Sequence, residues 1–283
     1  MEFSNEPVSL EPGIGGAASK SSEEVFSLNG FKNGRNPFDD NPSALKNKWG
    51  IEWMKRAQGA EAVSVLPPGA TGKCLRVSYP RGGVGPLESG VEFPVSFRNI
   101  PTIKQTTFDS LYLRYYLCFE KGFDFCLGGK LPGLIGAGQS WKRAGGDLPD
   151  GTNGWSMRLM WRRNGNAVVY AYLPPGKYTN RQWGFDIDLN TSFKTARWHC
   201  VEQYVKVNDS GCENGQLKVW VDGLKALELQ DLVYRTVDNE AGKIGGIFFS
   251  TFHGGNTKEW APATDSFALF SGVVAARRRI GSA

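Results

Sequence analysis

The stretch with the most chemical content runs from Gly154 to Leu173 and reads GWSMRLMWRRNGNAVVYAYL. Two alternating segments flank Arg163-Asn164-Gly165, residues that suit a tight turn between antiparallel strands. The register of that hairpin decides which side chains meet. A two-residue Asn164-Gly165 loop would pair Leu159 with Tyr170 and mix polar with apolar groups on both faces. A three-residue loop with Gly165 left-handed pairs Arg158 with Tyr170 and Ser156 with Tyr172. One face then carries Met157, Leu159, Trp161, Val169, Ala171 and Leu173 and is apolar throughout. The other gathers Ser156, Arg158, Tyr170 and Tyr172: one cation, two phenols and a hydroxyl. The second register segregates the faces and is the one expected. Such a group can bind an anion and transfer a proton. It can equally be plain sheet surface, because cross-strand Arg–Tyr pairs stabilise strands modestly.

A second stretch, Gly128-Gly129-Lys130-Leu131-Pro132-Gly133-Leu134, sets a lysine among glycines and beside a rigid proline. Glycines such as Gly129 let backbone approach a ligand closely. By itself the stretch reads as a turn with an exposed lysine. It lacks the GxxxxGK[ST] spacing of a phosphate loop, which excludes that kind of nucleotide site. The two histidines, His199 and His253, stand in no metal-ligand spacing, so neither metal nor cofactor is expected. His199, in Trp198-His199-Cys200, reads as structural, and His253, in a Gly-rich loop, as a residue lining a cleft. The five cysteines allow Cys118–Cys126 and Cys200–Cys212 pairs, or buried free thiols.

The elements that must position these groups read as strands. Short alternating segments recur between turn signals: Cys74–Tyr79, Gly90–Val95, Ser110–Cys118, Gly154–Arg162, Ala167–Leu173, Arg197–Lys206, Gln216–Val221, Lys225–Gln230, Ile244–Thr251 and Ser266–Val273. Asp222-Gly223 marks a hairpin turn between two of them. Phe26 to Asn47 reads as loop, and order begins near Trp49–Trp53. Helical periodicity is weak and no repeat is present. The chain has 36 glycines and 12% aromatics, a balance suited to a β-protein with many turns and aromatic-lined grooves. The expectation is an all-β sandwich of two antiparallel sheets: a flexible segment 1–25, one domain over 26–275 and a tail 276–283. The net charge of +5 favours an anionic partner. Arg277-Arg278-Arg279 is the one basic cluster and reads as solvated tail, so nucleic acid is not expected. No apolar run is long enough to span a bilayer, and no membrane partner is expected. Residues 1–20 hold no apolar leader core.

The order GGKLPGL, GWSMRLMW, VYAYL resembles polysaccharide lyase family 14 and the related glucuronan lyases. Glu202-Gln203-Tyr204-Val205-Lys206, Val219-Trp220-Val221-Asp222-Gly223 and Phe249-Ser250-Thr251-Phe252-His253-Gly254-Gly255 agree, so the likeness runs from about Leu111 to Pro262. It departs at His253, where family members often carry an aromatic, and in a last strand without an Asp-Asn-Phe ending. The resemblance implies a β-jelly roll that cleaves alginate or another polyuronate by β-elimination. It implies a site of Lys130, Ser156, Arg158, Tyr170 and Tyr172, with Ser156 at the substrate. Gly129, Glu202 and His253 are further substrate-binding candidates of the sequence itself. Lys130 joins the cluster through the resemblance alone.

The reaction removes the proton on C5 beside the sugar carboxylate and expels the oxygen on C4. Cations that neutralise the carboxylate stabilise the enolate-like intermediate. Arg158 and Lys130 suit that task, with Ser156 as a further donor. Tyr172, Tyr170 and Lys130 all remain open as the base. Alginate, mannuronate-rich first, glucuronan and oxidised cellulose all carry the required carboxylate. A secreted, monomeric enzyme is expected. Two rivals remain: a non-catalytic carbohydrate-binding jelly roll, which needs no Lys/Arg/Tyr cluster, and a glycoside hydrolase. The hydrolase needs two carboxylates across a cleft. Glu202 with Glu228 or Asp222 could be offered, but it leaves Arg158, Tyr170 and Tyr172 without a role.

Overall fold

Segments that alternate apolar and polar residues bury one face and leave the other to solvent or to a site. Fourteen such strands occur among the described residues of the computed structural model, which are 23–31, 36–38, 41–138, 147–176 and 183–282. In chain order they are β1 Glu24–Leu28, β2 Ala60–Val63, β3 Cys74–Tyr79, β4 Val91–Ser96, β5 Ser110–Phe119, β6 Gly128–Gly136 and β7 Ser156–Arg162. Then come β8 Asn166–Tyr172, β9 Phe185–Ser192, β10 Arg197–Lys206, β11 Gly215–Val221, β12 Leu224–Leu232, β13 Ile244–Thr251 and β14 Ser266–Ala276. They form two antiparallel sheets, a β-jelly-roll sandwich. One sheet runs β12-β11-β10-β5-β14-β3-β2, with β1 also on β14, and the other runs β4-β13-β6-β7-β8-β9.

The inner faces of the two sheets meet in one core. From β7 and β8 it takes Met157, Leu159, Trp161, Val169 and Ala171, with Leu173 just beyond. From the facing sheet it takes Leu113, Tyr115 and Leu117 of β5 and Val201 and Val205 of β10. Each of the Val, Leu and Met side chains among them contributes about 1.5–3 kcal/mol by leaving water. This burial is what fixes the hairpin register: Arg158 pairs with Tyr170 and Ser156 with Tyr172, as a three-residue turn requires. Gly165 closes that turn at φ 79°. The Asp222-Gly223 turn joins β11 to β12, both residues at positive φ.

Four strands were not expected from the sequence: β1, β2, β6 and β9. The stretch read as loop from Phe26 to Asn47 holds the end of β1 and most of a helix, α1 (Pro42–Trp49). Its Asn, Pro and Gly are the helix's own ends. The Asn41 side chain accepts from Ala44 N at 2.8 Å, Pro42 opens the first turn, and Gly50 at φ 69° closes the last. The flexible segment expected over 1–25 falls mostly on residues 1–22, outside the described residues, and β1 already begins at Glu24. The basic tail is tied down rather than free. Arg278 pairs with Glu23, and Arg279 reaches Glu202 and the Trp220 ring. All five cysteines carry free thiols, so neither disulfide pairing forms.

Candidate active site

The outer face of the β4-to-β9 sheet is concave and forms the floor of a cleft of about 880 Å³. Strand β7 places Ser156, Arg158 and Met160 on that floor, and β8 adds Val168, Tyr170 and Tyr172 beside them. Lys130 comes from β6, opposite Met160. The expected open sheet face is thus a buried one: Arg158 is 2% exposed, Tyr172 1% and Lys130 9%. Walls above the floor account for this, with Trp53 and Pro86 among them on one side, and Trp183, Gly184 and Trp260 among the rest.

Lys130 sits where it does because β6 is bulged. Between Leu131 and Leu134 the strand has one residue more than its partner β7, so both leucines face the core. Pro132 and Gly133 occupy the irregular stretch, and a Cβ at Gly133 would lie 2.0 Å from Met157 O. The backbone groups freed there find partners on the facing sheet. Gln203 of β10 accepts from Leu134 N at 3.0 Å and donates to Met157 O at 2.9 Å. Tyr115 of β5 donates to Pro132 O. Both sheets therefore hold the segment that carries Lys130 against the one that carries Arg158.

The electrostatics of the floor are unusual. Lys130 Nζ has a soft partner, Met160 Sδ at 3.1 Å, and lies 4.1 Å from the centre of the Tyr170 ring. Burial, and then the charges of Arg158 and Arg162, push its ammonium well below the ordinary lysine range. Arg158 donates to Ser250 Oγ at 3.3 Å, and its buried Nε has no partner. Among the described residues neither Lys130 nor Arg158 forms an ion pair with a carboxylate. Ser250 passes on to Glu92 at 2.9 Å, and Glu92 pairs with Lys55 at 2.7 Å. The Tyr170 and Tyr172 hydroxyls approach to 3.5 Å. Burial, and then the Tyr172 hydroxyl, hold the Tyr170 phenol above its ordinary range, so it keeps its proton. Arg162, at the cleft edge, is engaged by Asp186 through two hydrogen bonds at 2.6 and 2.7 Å.

Four of the eight expected site residues line the cleft: Lys130, Arg158, Tyr170 and Tyr172. Ser156 shares their sheet face, opposite Tyr172, but is fully buried and does not line it. The other three do not reach the cleft. Glu202 lies on β10 of the other sheet and faces away from the core. Its carboxylate accepts from Ile280 N at 2.7 Å and from Gly281 N, and so anchors the C-terminal tail. His253 is fully buried beneath the floor, packed against Tyr79, Phe123 and Trp161, with Nε2 donating to Asp124 O at 2.8 Å. Gly129 is a packing glycine: a Cβ there would meet the Trp161 ring at 2.1 Å. The structural reading of His199 holds: it is buried and bound to Asp222 and Lys194. Met160, Glu92, Ser250, Lys55 and Trp53 were not expected at the site. Met160 could have been found, since it shares the alternating face of Ser156 and Arg158.

A family model, Polysaccharide lyase 14, matches residues 67–273. The chain belongs to this family. It is thus a polysaccharide lyase, and the purely binding jelly roll is not favoured. The structure is similar to the marine PL-14 alginate lyase from Aplysia kurodai, at 24% identity and TM-score 0.73, covering 89% of this chain and 98% of that one. It is similar to a variant of the alginate lyase Aly36B in complex with alginate trisaccharide, at 19% identity and TM-score 0.67, covering 91% and 99%. It also resembles an endo-β-1,4-glucuronan lyase from the fungus Trichoderma reesei, at 13% identity and TM-score 0.52, covering 90% and 96%. No curated protein matches the chain by sequence. At these identities the solved structures establish the shared fold.

Proposed function

We propose that the cleft cleaves a polyuronate by β-elimination, with mannuronate-rich alginate the first candidate and glucuronan the second. One observation carries this reading. A buried cation, Arg158, and a buried amine, Lys130, line an accessible cleft, and among the described residues no carboxylate pairs with either. Burying charge without a partner is costly, so such a site suits a ligand that brings its own carboxylate. The complex of Aly36B with an alginate oligosaccharide supports the choice of polymer.

On this reading Arg158 binds the carboxylate of the reacting sugar and stabilises the negative charge that builds as the C5–H bond breaks. Burial bears on two of the three groups that the sequence left open as base. It favours the neutral amine on Lys130 and keeps the proton on Tyr170. On this reading Lys130 takes the C5 proton, and the electron pair of the broken C5–H bond forms the C4=C5 double bond. The C4–O4 bond breaks, and a phenol of the Tyr170–Tyr172 pair protonates the leaving O4. The proton gained by Lys130 passes to water as the cleft reopens, and the phenolate regains one from water. Ser156, opposite Tyr172 in the hairpin, supplies a further donor. A secreted monomer goes with this reading.

The test is incubation with poly-mannuronate, poly-guluronate and glucuronan, followed by ultraviolet absorbance of the unsaturated uronate end. A rise on one polymer that Lys130→Ala abolishes is the expected result. Tight binding without any rise on all three would sink the reading.

A further inference from the structure

Two cleft residues lie before residue 67, where the family match begins: Trp53 and Lys55. Their segment runs antiparallel beside β4, the edge strand, through Lys55 N to Glu92 O at 2.8 Å and Glu92 N to Lys55 O at 3.2 Å. Met54 between them packs on the core, which turns Trp53 and Lys55 toward the cleft. The Trp53 ring stands edge-on to Phe248 with centroids 6.2 Å apart. The Arg158 guanidinium lies 5.1 Å from the same Phe248 ring. Indole and guanidinium therefore both lie against one phenylalanine ring. Lys55 Nζ is 5.1 Å from the Trp53 ring centre. It gives one donor to Glu92 and keeps 40% of its side chain in solvent, so its remaining N–H groups are available.

We propose that Trp53 and Lys55 form a second uronate subsite beside the reaction centre, built by a segment outside the family-matched stretch. The chemistry of a uronate unit matches the pair. Its apolar C–H face stacks on the indole, and its carboxylate reaches the Lys55 ammonium. Glu92 stands between Lys55 and the Arg158–Ser250 pair, so it separates the two cations and gives each carboxylate its own position. The polymer then crosses the strands from the β4 edge toward β7, with the reacting sugar over Arg158 and its neighbour on Trp53. This subsite rests on the polyuronate reading above and specifies how the chain is held.

The experiment uses the full chain carrying Lys130→Ala, so that substrate is not consumed. Calorimetric titration with a series of uronate oligomers then reports binding. Adding Trp53→Ala weakens binding by about tenfold or more, as loss of a central aromatic contact does. Adding Lys55→Met weakens it by about threefold at low salt, an effect that fades at high salt and is restored by Lys55→Arg. Melting temperatures of each variant separate a lost contact from a lost fold, and Lys55→Met compared with Lys55→Arg keeps the test valid if Trp53→Ala does not fold. Unchanged affinity in both the Trp53 and Lys55 variants, with the parent binding normally, overturns the subsite and leaves the lyase reading intact. A parent that binds no polyuronate overturns both.

Discussion

Replacing Arg158 by methionine separates stability from function. The guanidinium is 2% exposed, lacks a carboxylate ion pair among the described residues, and leaves Nε unpartnered. Its compensation is one 3.3 Å hydrogen bond to Ser250, the field of Glu92 beyond it, and the faces of Phe248, Tyr170 and Tyr172 at 5.1–5.7 Å. Desolvating a cation costs several kcal/mol, and apolar replacement of buried ion clusters is commonly neutral or stabilising by about 1–4 kcal/mol. Glu92 keeps Lys55 and Ser250 in the variant, so no new buried charge is orphaned. The expected gain is about 1–2 kcal/mol, taken from the lower half of that range because Glu92 partly offsets the cost. For a chain of this size it raises Tm by about 2–8 °C. Activity moves the other way. Loss of a preorganised charge at a developing anion costs about 100–1,000-fold in kcat. Calorimetric melting and the ultraviolet assay on the same preparation measure both. A Tm lowered by several degrees would mean that Arg158 is a structural ion held by Glu92 and Ser250. Retention of activity within tenfold would place the carboxylate elsewhere.

Lys130 makes the rate and the stability depend on pH in the same direction. Its folded pKa is depressed, so the rate of the wild-type enzyme rises as pH climbs through that lowered value, and a pH–rate profile without a rising limb contradicts the base assignment. The unfolded chain binds a proton at Lys130 that the folded site refuses, so stability rises with pH up to about 10.4; Lys130→Met removes that slope, and its Tm advantage over wild type shrinks from neutral pH toward alkaline pH. Gln203→Leu leaves Leu134 N and Met157 O without partners in the core and lowers stability by about 2–4 kcal/mol, read as a drop in denaturation midpoint. Gly133→Ala drives a Cβ into Met157 O and toward the Arg158 Cα, 2.5 Å away; the expected result is a folded protein with at least about a hundredfold lower kcat, by the sensitivity of catalysis to ångström-scale displacement.

The hairpin was legible because two independent signals agree in it. Asn164-Gly165 demands a turn, and only one register places Met157, Leu159, Trp161, Val169 and Ala171 on a single face. The core enforces that face, so the polar set on the reverse follows. The other parts of the site depend on contacts distant in sequence. Trp53 and Lys55 reach the cleft through two backbone hydrogen bonds to Glu92, and no local periodicity announces them. Glu92 stands in a strand whose other residues are all buried and reads there as an incidental charge, until Ser250 and Lys55 meet it. Glu202 and His253 misled for the opposite reason. A polar residue in a family-like segment suggests a ligand, yet each is engaged elsewhere: Glu202 by the tail at Ile280, and His253 by Asp124 and the aromatic rings around it.

The strand bearing Lys130 was read as a turn because the feature that makes it functional also erases its pattern. Period-two alternation would put Lys130, Pro132 and Leu134 on one face. The bulge adds one residue, so Leu134 returns to the core while Lys130 stays on the floor. Glycine and proline are the residues tolerated there: Gly133 for close approach to β7, and Pro132 because it needs no donor partner. A bulge in the middle of a sheet loses ladder hydrogen bonds, which the facing sheet restores through Gln203 and Tyr115. Lys130 and Arg158 are thus positioned by a polar clamp across the apolar core rather than by their own strands alone. The distance between the Lys130 amine and the Arg158 guanidinium, on which neutralising a carboxylate and removing its neighbouring proton both depend, is set from behind the site. Damage to Gln203 should accordingly lower kcat more than it raises KM, whereas loss of Trp53 should do the reverse.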